Sequence, residues 1–145
     1  MRGWASCALF VTAVCLVWAV DPTTAAAQAP VRDLRCENTT NPRGVKALHP
    51  QLSWVNPAPQ RAYQVLVASS EEKLKADEGD LWDSGRVKSD QKTAQYQGKP
   101  LSSLQRCFWK VRVWGDYYSA GGYTDPASWE MGLLFFGEAG AQSRR

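Results

Sequence analysis

The side chains that could do chemistry are few and scattered. His49 is the only histidine of the 145 residues, held between Leu48 and Pro50. A zinc site needs about four closely set ligands, and one histidine with distant cysteines does not supply them. A general base also needs a partner within hydrogen-bond reach, so His49 reads as a loop histidine. Asp77, Glu78, Asp80 and Asp83 crowd one turn. They lack the alternating ligand order of an EF-hand loop, so they read as a solvated turn. There is no Gly-rich phosphate loop and no nucleophile motif. The sequence therefore predicts no catalytic residue, no metal site and no cofactor.

Two other groups carry weight. Phe108, Trp114, Tyr117, Tyr118 and Tyr123 gather in one strand and the loop after it. Exposed aromatic faces stack on sugars, and loops often hold binding residues. Outward aromatics also mark surfaces that dock on another domain. These five residues are thus candidate contacts for a carbohydrate or a neighbouring domain, with simple loop packing as the alternative. Cys36 and Cys107 form the second group. They are either a disulfide pair, closing a loop of about 70 residues worth roughly 4 kcal/mol in the chain-entropy account, or two small buried thiols.

The segments that must position these residues begin after a leader. Arg2 is followed by an almost unbroken apolar run from Cys7 to Val20, then Asp21, Pro22 and Ala25-Ala26-Ala27. That run is too short for a membrane span and fits a secretory signal, residues 1–27, cut before Gln28. The expected location is exported, periplasmic or extracellular, with no membrane span after cleavage. Export makes the Cys36–Cys107 pairing chemically available. The net charge of +3 is mild, and no basic stripe suggests a nucleic-acid partner.

Period-two alternation dominates the rest. Cys107-Phe108-Trp109-Lys110-Val111-Arg112-Val113-Trp114 places Cys107, Trp109, Val111 and Val113 on one face. Phe108 and Trp114 then fall on the opposite face. Gln51–Val55 turns Leu52 and Trp54 inward; Ala62–Ala68 shows Tyr63, Val65 and Val67 on one face. Val31–Glu37, Leu81–Gly85, Thr93–Gln97 and Trp129–Leu133 complete about seven short strands. Asn38–Pro50 reads as a long loop. Ser69 with Glu72 resembles a capping box for a short helix anchored by Leu74. The fold class is an all-β, immunoglobulin-like or fibronectin type III-like sandwich over 28–134 with a short helical insertion. Residues 135–145 form a Gly/Ala-rich tail.

The core spacing resembles a fibronectin type III domain, with Leu101 ahead of the sixth strand and Cys107 where that fold usually keeps a tyrosine. A closer resemblance rests on an ordered set of segments. They include Leu34-Arg35-Cys36-Glu37, Asn41-Pro42-x-Gly44, Pro50–Trp54, Ala62–Ser70, Gly79–Gly85, Gly98–Leu101, Arg106–Trp114 and Trp129–Leu134. Together they resemble the N-terminal sandwich domain of bacterial α-L-rhamnosidases. The resemblance implies a parent enzyme that removes L-rhamnose with inversion, using an acid and a base carboxylate. In that family the two carboxylates lie in a downstream helical α/α barrel, and no residue here matches them. The expectation is a non-catalytic module in a truncated chain. Its partners would be the enzyme's other domains, or rhamnosylated glycans if the module binds sugar by itself. The family's turn after the Arg106–Trp114 strand is shorter than the Gly115–Thr124 loop here.

Overall fold

The computed structural model describes residues 31–116 and 120–135. The leader, Tyr117, Tyr118 and the tail from Phe136 lie outside the described residues. Among the described residues eight strands occur in chain order: β1 (Arg32–Cys36), β2 (Arg43–Val45), β3 (Gln51–Val55), β4 (Ala62–Ala68), β5 (Trp82–Asp83), β6 (Thr93–Gln95), β7 (Arg106–Trp114) and β8 (Ala127–Met131). One helix, α1 (Glu71–Lys75), sits between β4 and β5. The strands make a three-stranded sheet, β1-β3-β6, and a five-stranded sheet, β2-β8-β7-β4-β5. This is an all-β immunoglobulin-like sandwich.

The alternation seen in the sequence builds the layer between the sheets. β3 contributes Leu52 and Trp54, β4 contributes Val65 and Val67, and β7 contributes Cys107, Trp109 and Val111. Trp129 and Met131 of β8 join them. Tyr96 lies just past β6, fully buried between Trp82 and Trp129, with ring centroids 5.6 and 5.9 Å away. Its hydroxyl donates to the Lys99 carbonyl at 2.6 Å, so the phenol enters the core without an unmet polar group. Gly98 lets that packing close. A Cβ there would lie 2.5 Å from Trp82 Cβ and 2.7 Å from the Tyr96 hydroxyl.

A second, smaller apolar layer lies on the far side of the five-stranded sheet. β4 pairs with β7 over seven residues, from Ala62↔Trp114 to Ala68↔Phe108. The faces of β4 and β7 that alternation assigns to solvent are partly covered here. Leu66 and Ala68 are buried against Leu74 of α1, with Phe108 and Tyr123 packed alongside. Ser70, rather than Ser69, caps the helix, accepting from the Lys73 amide. Ser69 is drawn away instead, because its amide and hydroxyl both donate to Asp80 at 2.8 and 2.6 Å.

The stretch expected as one long loop contains two ordered features. Glu37 and Asn38, both at positive φ, make a tight two-residue turn. Cys36 and Thr39 exchange backbone hydrogen bonds of 3.0 Å across it. β2 then runs parallel to β8 with Arg43 opposite Glu130 and Val45 opposite Met131. It covers an edge that would otherwise offer free backbone donors and acceptors.

Candidate functional site

The expected aromatic site resolves into a stack on the outer face of β4 and β7. Trp114 ends β7 and is only 7% exposed. The Arg86 and Arg112 guanidiniums each lie 4.9 Å from its ring centroid. Arg112 also lies 4.7 Å from the Tyr123 ring, and the Lys110 ammonium lies 4.4 Å from the same ring. Lys110 continues the line to the Asp77 carboxylate. The run therefore reads Arg86, Trp114, Arg112, Tyr123, Lys110, Asp77. Strand periodicity puts Lys110, Arg112 and Trp114 on one face, and the loop after β7 lays Tyr123 across them. Each cation over a ring contributes about 0.5–2 kcal/mol, more where water is excluded. Arg112 is further fixed by two hydrogen bonds to Gln64 Oε1, at 2.9 and 2.6 Å.

This geometry changes the reading of two candidates. On the alternation alone Phe108 and Trp114 face outward, as candidate contacts for a carbohydrate or a neighbouring domain or as simple loop packing. Phe108 is instead part of the layer under α1, and Trp114 is buried beneath cations. The physical reason is that each face of a strand is open only until another segment covers it. Tyr123 keeps part of its surface exposed and borders two depressions. One, about 590 Å³, is lined by Arg32, Asp33, Asn41, Tyr123, Thr124 and Asp125 among others. The other, about 210 Å³, lies between Tyr123 and α1. Burial raises the Tyr123 phenol above its ordinary pKa; Arg112 works against that shift, and Asp77 and Asp83 add to it. Tyr117 and Tyr118 lie outside the described residues.

Cys36 and Cys107 are free thiols in this structure. Of the two arrangements the sequence leaves open, a disulfide pair or two small buried thiols, the structure holds the second. Both belong to the same core layer, Cys36 from β1 and Cys107 from β7, on opposite sheets. Burial pushes both thiols up to about 12; Glu37 and then Cys107 add to the effect at Cys36, and Asp80 adds to it at Cys107.

The acidic turn divides into separate structural contacts. Asp77 meets Lys110; Asp80 takes Ser69 and Lys73; Asp83 accepts from Gln64 and from the Gly85 amide. Burial disfavours ionised Asp80, but the Ser69 hydroxyl and amide and the Lys73 ammonium outweigh it and hold the carboxyl at about 2. Among the described residues no three His, Cys, Asp or Glu side chains are grouped to hold a metal ion. His49 binds the Tyr96 carbonyl through Nδ1 at 3.0 Å, which requires the proton on that nitrogen.

Sequence reasoning missed Arg86, Arg112 and Lys110 as partners of the aromatics. The spacing of Lys110, Arg112 and Trp114 on one strand face was the available signal. The contribution of Arg86, from a segment about 25 residues earlier in the chain, had none.

Residues 31–135 match the family model described as Rha78A-like, N-terminal immunoglobulin domain. The chain belongs to this family. The Rha78A-like sandwich is 44% identical over 104 residues to an α-L-rhamnosidase of Streptomyces avermitilis, covering 68% of this chain and 10% of that protein. An α-L-rhamnosidase of Formosa agariphila is 37% identical over 101 residues, covering 66% and 11%. Two solved structures agree. The α-L-rhamnosidase from Dictyoglumus thermophilum superposes with a TM-score of 0.69 at 38% identity, over 73% of this chain and 12% of that one. The Streptomyces avermitilis α-L-rhamnosidase complexed with L-rhamnose gives 0.65 at 43% identity, over 72% and 10%. The chain thus spans about a tenth of the length of these relatives, and the part it matches is their N-terminal immunoglobulin domain. No helix among the described residues is long and apolar enough to cross a membrane.

Proposed function

We propose that this chain is the non-catalytic N-terminal sandwich module of an exported bacterial α-L-rhamnosidase. The observation that carries the reading is the match over residues 31–135 to a domain that makes up only about a tenth of each relative. Inverting glycoside hydrolysis needs an acid and a base carboxylate set on either side of the scissile bond. Asp77, Asp80, Asp83, Asp116 and Glu130 are each committed to a cation or an amide of the scaffold. The module's work is then mechanical: a rigid sandwich at the start of an enzyme whose catalytic carboxylates lie elsewhere. Export would let Cys36 and Cys107 pair and tie the two sheets together.

A second reading, a free-standing carbohydrate-binding module, is favoured by the depression beside Tyr123. It combines an aromatic ring with Arg32, Asp33, Asn41 and Asp125, the mixture of apolar face and hydrogen-bonding groups that sugar sites use. One pair of measurements separates the readings. Purified chain is incubated with an aryl α-L-rhamnoside and titrated calorimetrically with a rhamnosylated oligosaccharide. The module reading expects neither turnover nor saturable binding. Turnover by the chain alone would overturn it, and saturable binding abolished by Tyr123→Ala would establish the sugar-binding reading instead.

A further inference from the structure

Five large apolar side chains stand exposed among the described residues: Leu48, Val55, Leu104, Leu133 and Phe135. Four of them gather at one end of the sandwich. Leu48 and Phe135 line a shallow depression of about 260 Å³ together with Lys46, Leu133 and Leu134. Leu104 is tied to the same segment, since its amide donates to the Gly132 carbonyl at 3.2 Å. Phe135 is 77% exposed, Leu104 60% and Leu133 56%. An apolar cluster of this kind marks an interaction surface.

Two further features show that the cluster is not needed by the sandwich itself. Leu104 holds φ +60, a conformation that glycine or asparagine adopts at less cost. A leucine there costs energy and still leaves most of its surface in solvent. The exit segment is also fixed in direction. Ser103 Oγ accepts from the Leu134 amide at 2.8 Å, and Gly132 N donates to the Val45 carbonyl at 2.8 Å. The chain therefore leaves β8 on a rigid heading, with its apolar side chains presented around it.

We propose that Leu48, Leu104, Leu133 and Phe135 form the docking surface for the domain that follows this sandwich in an α-L-rhamnosidase. The occupant follows from the position of the patch. The matched domain is N-terminal in its family and ends at residue 135, and the relatives are about ten times longer. In them the polypeptide continues from this edge, so the next domain is the surface that meets the cluster first. Docking there carries that fixed heading into the next domain and sets the orientation of the sandwich on the enzyme. The inference rests on the module reading above.

The test grafts residues 31–135 in place of the matching domain of the Streptomyces avermitilis α-L-rhamnosidase. The graft is compared with the same graft carrying Leu48→Ser and Phe135→Ser. Calorimetry and limited proteolysis at the junction are the readouts. The expected result is a single coupled unfolding transition and a protected junction in the first graft. The substituted graft should show a separate sandwich transition and junction cleavage faster by about tenfold or more, because cleavage follows the undocked population. The isolated chain with both substitutions should melt as the parent chain does, which separates lost docking from lost folding. Identical behaviour of the two grafts, with the first folded and active, overturns the docking surface and leaves the module reading standing. A first graft that is inactive or does not fold overturns the module reading and the docking surface with it. A concentration-dependent dimer of the isolated chain, abolished by the substitutions, assigns the patch to a second copy and overturns the proposal.

Discussion

The two core cysteines provide a quantitative test of the packing between the sheets. The perturbation is alkylation of the reduced, folded protein with iodoacetamide at pH 8. Only the thiolate reacts. A thiol with its ordinary pKa near 9.0 is about 10% ionised at that pH, and one at about 12 is about 0.01% ionised. Folded protein should therefore alkylate roughly a thousandfold more slowly than protein unfolded in guanidinium, before any steric protection is added. Mass spectrometry of timed samples reads the two rates. The same burial predicts an alkaline loss of stability. Below pH 9 both states keep the thiol protons and the contribution is complete. Between about 9 and 12 the unfolded chain releases protons that the folded chain retains, so stability falls as pH rises. Each thiol contributes a slope of about 1.4 kcal/mol per pH unit in that window. A Cys36→Ala/Cys107→Ala variant should lose that slope while keeping the part due to Tyr96, whose buried phenol is likewise pushed up to about 12. Oxidised protein should show neither alkylation nor the thiol slope, and should gain roughly 4 kcal/mol from closing the loop between the cysteines. Equal alkylation rates for folded and unfolded protein would refute the reasoning, as would an unchanged alkaline slope in the double variant.

Three further substitutions test the scaffold in denaturant titrations. Leu74→Ala removes the side chain by which α1 covers Leu66 and Ala68; it should cost about 2–4 kcal/mol and leave the order of the β4–β7 pairing intact by amide exchange. Tyr96→Phe deletes the 2.6 Å hydrogen bond to the Lys99 carbonyl, which water can then reach because Lys99 is exposed, for a loss of about 0.5–1.5 kcal/mol. Arg112→Ala breaks the stack between Trp114 and Tyr123 together with both bonds to Gln64. It should cost about 1–3 kcal/mol and raise the exposure of Trp114, seen as a red shift and easier quenching of tryptophan fluorescence. An unshifted spectrum in that variant would show that the cations are not what covers the ring.

Much of the scaffold was legible because its signals are local. Alternation with period two is written in each segment, so Gln51–Val55 and Ala62–Ala68 appear in the structure with the bounds read from sequence. The inward positions of Trp54, Trp109 and Trp129 followed from the same period, and the ordered segments from Leu34 to Leu134 identified the family. β2 was not legible, since three residues rich in turn signals form a strand only when β8 lies beside them. The helix cap moved by one residue because Asp80, eleven positions away from Ser69, competes for that serine.

The sequence by itself determined which side chains of each strand turn to the same face, because strand geometry alternates sides without regard to distant residues. It could not determine what lies over the outer face. Phe108 and Trp114 alternate outward in any reading of β7, yet α1, Arg86 and Tyr123 close over them. Only the tertiary structure decided that, and with it which apolar surface is left open. That surface lies at the exit of β8, around Leu133 and Phe135, because coverage depends on where separate segments meet in space and not on the period of any one of them.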